Sequence, residues 1–120
     1  MAMTHYLHTA LLVTDLARAT EFYGEILGLP PVERPLSYAG AWYQLGEQQL
    51  HLIAAVDYQA TLHNPAQWGR NPHLALGTLD LAAVKAKLLA SGYELQMSSS
   101  GRAALFTRDP DGNVIEISQV

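Results

Sequence analysis

The chain repeats itself. A shift of 65 residues carries His8 onto His73, Asp15 onto Asp80, Leu16 onto Leu81 and His51 onto Glu116, and it sets Leu50 and Leu52 on Ile115 and Ile117. Two copies of a unit this long cannot form a solenoid, which stacks at least three shorter repeats. With 120 residues in all, neither copy is comfortable as an independently folded domain. The expectation is therefore an α+β chain of two βαβββ modules, over about residues 4–56 and 72–120. A connector over 57–71 would join them in one domain spanning 1–120. Each module would carry an open, curved sheet that gains a partner by pairing with another.

Local signals fit the modules. Leu7 to Val13 reads as a buried strand. Asp15 is a helix N-cap, and Leu16 to Leu27 has helical periodicity, with Leu16, Ala19, Phe22, Tyr23, Ile26 and Leu27 on one face. Gly28 is its C-cap, and Pro30-Pro31 stop any continuation. Ala41–Leu45 and Gln48–Ala54 form a hairpin around Gly46-Glu47. In the second copy His73–Thr78 is a strand. Asp80 caps a helix over Leu81–Ala90 that turns Leu81, Val84, Leu88 and Leu89 inward, and Gly92 ends it. A strand follows at Tyr93–Met97. The last hairpin joins Ala104–Thr107 to Asn113–Ser118 around Asp109-Pro110-Asp111-Gly112, a strong turn signal.

In a strand, alternate residues face opposite sides. Leu50 and Leu52 pack under a helix, so His51 faces away from it. The same parity applies to Glu116 between Ile115 and Ile117, to His73 before Leu74 and Leu76, and to His8 beside Leu7 and Thr9. Four strands thus each send one ligand-capable side chain away from the helices. An unpaired buried carboxylate is costly, and a divalent cation offsets it. Imidazole nitrogens with a carboxylate suit Zn, Ni, Mn or Fe(II). A single strand histidine is more often an ordinary hydrogen-bonded residue, and His5 and His63, outside the repeat, are read that way. Four such residues at matched positions favour a metal site made of His8, His51, His73 and Glu116.

Charge and composition remove other functions. The net charge of −4 and the scattered seven Lys and Arg argue against a nucleic-acid or membrane-surface binder, which needs a positive field. Without cysteine there are no disulfides, thiolate nucleophiles or Cys-ligated zinc. The first residues lack a signal-peptide pattern, and no apolar run approaches the ~20 residues of a membrane span. A soluble, cytoplasmic protein is expected.

The run His8-Thr9-Ala10-Leu11-Leu12-Val13 with Asp15-Leu16, then Phe22-Tyr23 and Leu27-Gly28, and finally Asp109-Pro110-Asp111-Gly112-Asn113 leading to Glu116 resembles the vicinal oxygen chelate superfamily. That superfamily includes glyoxalase I, fosfomycin-resistance thiol transferases, methylmalonyl-CoA epimerase, extradiol dioxygenases and bleomycin-resistance proteins. The resemblance covers nearly the whole chain. It implies metal ligands from the first and last strand of each module, here His8 and His51, then His73 and Glu116. It also implies a homodimer, often with the site shared between subunits. Bacterial glyoxalase I usually has a carboxylate where this chain has His51, and the epimerase usually has Gln. The fosfomycin enzymes and the dioxygenases use only the equivalents of His8, His73 and Glu116.

The reaction implied is metal-assisted. The ion takes one or two substrate oxygens and stabilises a developing oxyanion or enediolate while a base moves a proton. Glu116 is the carboxylate placed for that role, with His51 as its acid–base counterpart. A glyoxalase I-like lyase or isomerase acting on a small substrate, a thiol adduct or other anion, is the leading expectation. An Fe(II) extradiol dioxygenase is an alternative, weakened because its Tyr position is Phe106 and no His lies between Ser98 and Ala104. The fosfomycin type is weakened because Ser98-Ser99-Ser100-Gly101-Arg102 has no Lys beside it. A metal-free binding protein of the bleomycin-resistance type is the other class. Arg34, Arg70 and Arg102 are candidates to hold an anionic substrate, and Trp42, Tyr43 and Phe106 to wall a pocket.

Overall fold

The computed structural model describes all 120 residues. They divide into two compact units, Met1–Tyr58 and Gln59–Val120, and the division falls within residues 57–71. The first unit runs β1 (His8–Val13), α1 (Leu16–Thr20), β2 (Pro31–Val32), β3 (Gly40–Leu45) and β4 (Gln48–Ala54). The second runs β5 (His73–Thr78), α2 (Leu81–Ala90), β6 (Leu95–Met97), β7 (Ala104–Arg108) and β8 (Val114–Gln119). Each unit holds one four-stranded mixed sheet, ordered β1-β4-β3-β2 in the first and β5-β8-β7-β6 in the second. The first strand pairs parallel with the last, and the other pairings are antiparallel.

The repeat holds to the residue. Ala10 lies opposite His51 in the first unit, and Ala75 lies opposite Glu116 in the second. Side-chain parity is as expected: Leu50, Leu52, Ile115 and Ile117 are all buried against the helical side. Each such residue stabilises its unit by roughly 1.5–3 kcal/mol relative to exposure. Side chains of Asp15 and Asp80 cap the helices, accepting from the Arg18 and Ala83 amides at 3.2 and 3.0 Å.

Four expectations need correction. The strand expected to be buried over Leu7 to Val13 starts at His8 and buries only Val13, because it is an edge strand of its sheet. The first helix is not α-helical to Leu27. After Thr20 it widens into a π-helical segment, Glu21–Ile26, closed by the Leu27 amide donating to the Phe22 carbonyl at 2.9 Å. The wider turn seats Phe22, Tyr23 and Ile26 in the core together. It also lays Gly24 against Tyr43, where an added Cβ would sit 3.4 Å from the phenol oxygen. Leu89 is 53% exposed rather than inward, because one step past Leu88 rotates it by about 100° off the buried stripe. The strand expected from Tyr93 begins at Leu95. Tyr93 instead finishes the helix: its amide donates to the Leu88 carbonyl and that of Gly92, at φ +85°, to Leu89.

Two short elements lie outside the sequence reading. The edge strand β2 places Pro31 and Val32 opposite Tyr43 and Trp42, an edge being where a strand proline is tolerated. A 3₁₀ turn at Trp68–Arg70 lies within the polar connector. No helix is long and apolar enough to cross a membrane.

Candidate metal centre

The four candidate ligands occur as two pairs, one in each unit. Within neither unit do three His, Cys, Asp or Glu side chains gather to hold a metal ion. In the second unit His73 Nε2 lies 3.4 Å from Glu116 Oε1. His73 Nδ1 lies 2.7 Å from the Asn71 carbonyl oxygen. A carbonyl only accepts, so Nδ1 carries the proton and Nε2 is left to face the carboxylate. Two acceptors do not face each other at that distance without a proton or a cation between them. A ligating histidine typically donates its other ring N–H to a carbonyl or carboxylate in this way. Ligands about 2.1 Å from a shared ion sit roughly 3.0–3.4 Å apart, so the pair fits a divalent ion.

Glu116 is 9% exposed. Burial pushes its carboxyl upward. That push is outweighed by the Ser118 hydroxyl and the Arg102 guanidinium, with His73 adding a smaller effect, and the net result lies below the usual carboxylate range. The Ser118 hydroxyl donates to Oε2 at 2.9 Å, and Arg102 Nη1 lies 3.5 Å from the same oxygen. Native Glu116 therefore binds protons less readily than the unfolded chain does. Its stabilisation is complete above the ordinary carboxylate range and is lost as pH falls through the native value. Acid titration monitored by circular dichroism is expected to show Glu116→Gln losing less stability than wild type between about pH 5 and pH 3. Equal losses would mean the carboxylate is not held by these partners.

Phe106 lies directly opposite Glu116 on β7 and meets His73 edge to face, ring centroids 5.5 Å apart. Gly69 makes room for it, since a Cβ there would lie 2.6 Å from the Phe106 ring tip. Gly69→Ala is expected to cost about 1–3 kcal/mol, read as a lower urea midpoint at unchanged slope. An unshifted midpoint would show that the ring moves freely.

In the first unit the imidazole of His51 is sandwiched. His8 stacks on one side at 4.0 Å and 15°, and Trp42 at 4.0 Å and 5°. Trp42 is the cross-strand partner of His51. His51 Nε2 lies 2.8 Å from Gln49 Oε1. A chain of amides fixes the direction of this bond. Gln44 Nε2 donates to the carbonyls of Gly46 and Gln48, so Gln44 Oε1 must accept from Gln49 Nε2 at 2.8 Å. That leaves Gln49 Oε1 toward His51, whose Nε2 must then be the donor. Nδ1 keeps the lone pair. Burial first, then the nearby charges of His8 and Arg34, lower the His51 pKa. The lowering favours the neutral ring, the form that binds metal. His8 has no hydrogen bond of its own, so its nitrogens are uncommitted. Both imidazoles, with Tyr38, Trp42 and Gln49, border a cavity of about 550 Å³.

Three holding residues were not read from the sequence: Gln49, Asn71 and Ser118. Each stands two positions from the residue it holds. That spacing puts strand side chains on one face and would have marked Gln49 and Ser118. Asn71 acts through its carbonyl, which no side-chain pattern shows. Of the aromatic candidates, Trp42 and Phe106 meet the pairs, whereas Tyr43 is buried in the core, where burial raises its phenol pKa. Arg34 is folded over the Tyr38 ring and donates to the Tyr38 carbonyl at 2.6 Å.

Comparison with known proteins decides the family. The model for the glyoxalase/bleomycin resistance protein/dioxygenase superfamily matches residues 5–117. The chain belongs to this superfamily. Among curated relatives of this glyoxalase-superfamily chain, Glyoxylase I 4 of Arabidopsis thaliana is 28% identical, covering 96% of the chain and 70% of the relative. A Vibrio cholerae protein named "Probable lactoylglutathione lyase" is 26% identical, covering 99% and 93%. A glyoxalase family protein from Bacillus anthracis shares the fold with a TM-score of 0.77 at 24% identity, covering 99% and 97%. TnmS3, an antibiotic binding protein from Streptomyces sp. CB03234, superposes with a TM-score of 0.69 at 26% identity, covering 99% and 98%. The superfamily therefore includes enzymes and binding proteins among this chain's relatives.

Proposed function

We propose that the chain is a metal-dependent enzyme of the glyoxalase I type. It would be a lyase or isomerase acting on a small molecule through vicinal oxygens, and it would work in the cytoplasm as a homodimer. His8, His51, His73 and Glu116 would supply the ligands of one divalent ion, Zn, Ni, Mn or Fe(II). The observation that carries this reading is the His73–Glu116 pair, whose fixed imidazole tautomer leaves Nε2 and a carboxylate oxygen facing each other at 3.4 Å. When bound, the ion supplies Lewis-acid polarisation of the substrate oxygens.

The residues themselves divide the remaining work. Glu116, held ionised by Ser118 and Arg102, can accept a proton from carbon beside a polarised carbonyl. His51, its neutral form favoured between two rings, can return a proton from Nε2 or accept one at Nδ1. Trp42 covers one face of His51, and Phe106 meets His73 edge to face. Ring cleavage loses support because Phe106, with no hydroxyl, stands opposite Glu116.

The test is metal content. Protein purified without added metal is expected to carry about one divalent ion per subunit by elemental analysis, and chelation should lower its melting temperature. Protein that stays metal-free and gains no stability from Ni, Zn, Mn or Fe(II) defeats the proposal. A second reading, metal-free sequestration of a small molecule, is favoured by the likeness to the antibiotic binding protein TnmS3. The retained His8, His73 and Glu116 weigh against it, and the metal measurement separates the two.

A further inference from the structure

We propose that the cavity bounded by Arg70 and Arg102 in the second unit is the subsite for an anionic group of the substrate, a carboxylate or phosphonate on an apolar body. The proposal rests on the reading of His73 and Glu116 as the reaction centre and assigns the substrate class to it. The cavity measures about 420 Å³, within the usual range for small-ligand sites. Arg70, Arg102, Ser98 and Ser100 supply its polar wall, and Trp68 and Phe106 much of its apolar wall. No Asp or Glu lines it. On a chain of net charge −4, the cavity carries two guanidinium groups: Arg102, paired with Glu116, and Arg70, whose positive charge no carboxylate compensates.

Of the nearby carboxylates, Glu116 pairs with Arg102 at 3.5 Å, and three others are kept elsewhere. Glu94, Asp109 and Asp111 line a separate cavity of about 440 Å³, which they share with Arg108. Arg108 lies over the Trp68 ring, 5.9 Å from its centroid, so its charge is placed among the acids. Arg70 is exposed, and its side chain has no hydrogen-bond or ion-pair partner. Arg102 Nε donates to Ser100 Oγ at 3.1 Å, and that hydroxyl is 2.8 Å from Ser98 Oγ. Ser100 thus holds Arg102 at Nε and Glu116 pairs with Nη1, which leaves Nη2 for a ligand. A guanidinium fork matches an oxyanion in two parallel hydrogen bonds.

The wall is preorganised and reaches the reaction centre. Gln96 Oε1 accepts from the Trp68 amide at 3.0 Å while its Nε2 donates to the Ala66 carbonyl at 3.2 Å. These bonds tie the turn that carries Arg70 to β6. Arg102 and Phe106 belong to the cavity and also contact Glu116 and His73. An anion on the arginines would therefore lay its apolar body across Phe106 toward the pair.

The experiment is calorimetric titration of chelator-treated protein, so that no ion can capture the probes. The probes are 3-phenylpropionate, 2-phenylethylphosphonate and the neutral 3-phenylpropanamide. Wild type is expected to bind at least one of the anions about tenfold or more tighter than the amide. Arg70→Gln is expected to weaken that anion by about tenfold and to leave the amide unchanged. A preference between the two anions identifies the group. Failure of the metal reading would show separately in the elemental analysis, because these titrations contain no free ion. The proposal is overturned if the amide binds as tightly as both anions, or if Arg70→Gln leaves anion affinity unchanged.

Discussion

Glu116→Gln is expected to weaken divalent-metal binding by at least ~100-fold while leaving the fold intact. Loss of a residue that merely orients a ligand already costs about 10–100-fold, and Glu116 is proposed as a ligand itself. The amide keeps the size of the side chain and an oxygen for the Ser118 hydroxyl. It removes the charge that faces His73 Nε2 and pairs with Arg102. Chelator competition with Zn(II) or Ni(II) measures the affinity, and far-UV circular dichroism checks the fold. Once a substrate is in hand, turnover should fall by roughly 10²–10⁴-fold, the contribution typical of a general base. Metal affinity equal to wild type would take Glu116 out of the ligand set.

The second large effect concerns His51. His73→Ala and His51→Ala are each expected to lower metal affinity by ~100-fold or more, on the same reasoning. Gln49→Leu separates two roles for His51, because Gln49 holds Nε2–H and leaves Nδ1 as the only free donor atom. If Nδ1 ligates, loss of Gln49 should cost about 10–100-fold, the range for a partner that orients a ligand. A His51→Ala protein that binds metal like wild type makes His51 an acid–base group instead.

The facing of the candidate residues was legible because strand parity is a strict rule. Once Leu50, Leu52, Ile115 and Ile117 are read as core, His51 and Glu116 have one face left, and the structure places them there. The helix caps were legible because Asp15 and Asp80 are the residue type that accepts from exposed amides. What the sequence hides is geometry that depends on neighbours across strands. The stacking of Trp42 on His51 follows from the β3–β4 register, which the sequence leaves open until the turn at Gly46 is built. The π-helical turn lays Gly24 against Tyr43, a contact between distant residues. The tautomer of His73 depends on a backbone carbonyl, which every residue has and no pattern marks.

The matched registers Ala10–His51 and Ala75–Glu116 separate address from content. Backbone pairing fixes where residues 51 and 116 stand, and it is indifferent to whether an imidazole, a carboxylate or an amide stands there. Exchange of one such side chain for another leaves the sheet untouched and changes the charge, the hardness and the proton affinity of the site. Insertion of a single residue into β4 or β8 does the reverse: it sends the proposed ligand into the core and a leucine or isoleucine to the opposite face. A scaffold of this kind is tolerant of new chemistry and intolerant of length changes in two strands. Variation compatible with the sheet is thereby channelled into point substitutions at 51 and 116 and into the loops around them.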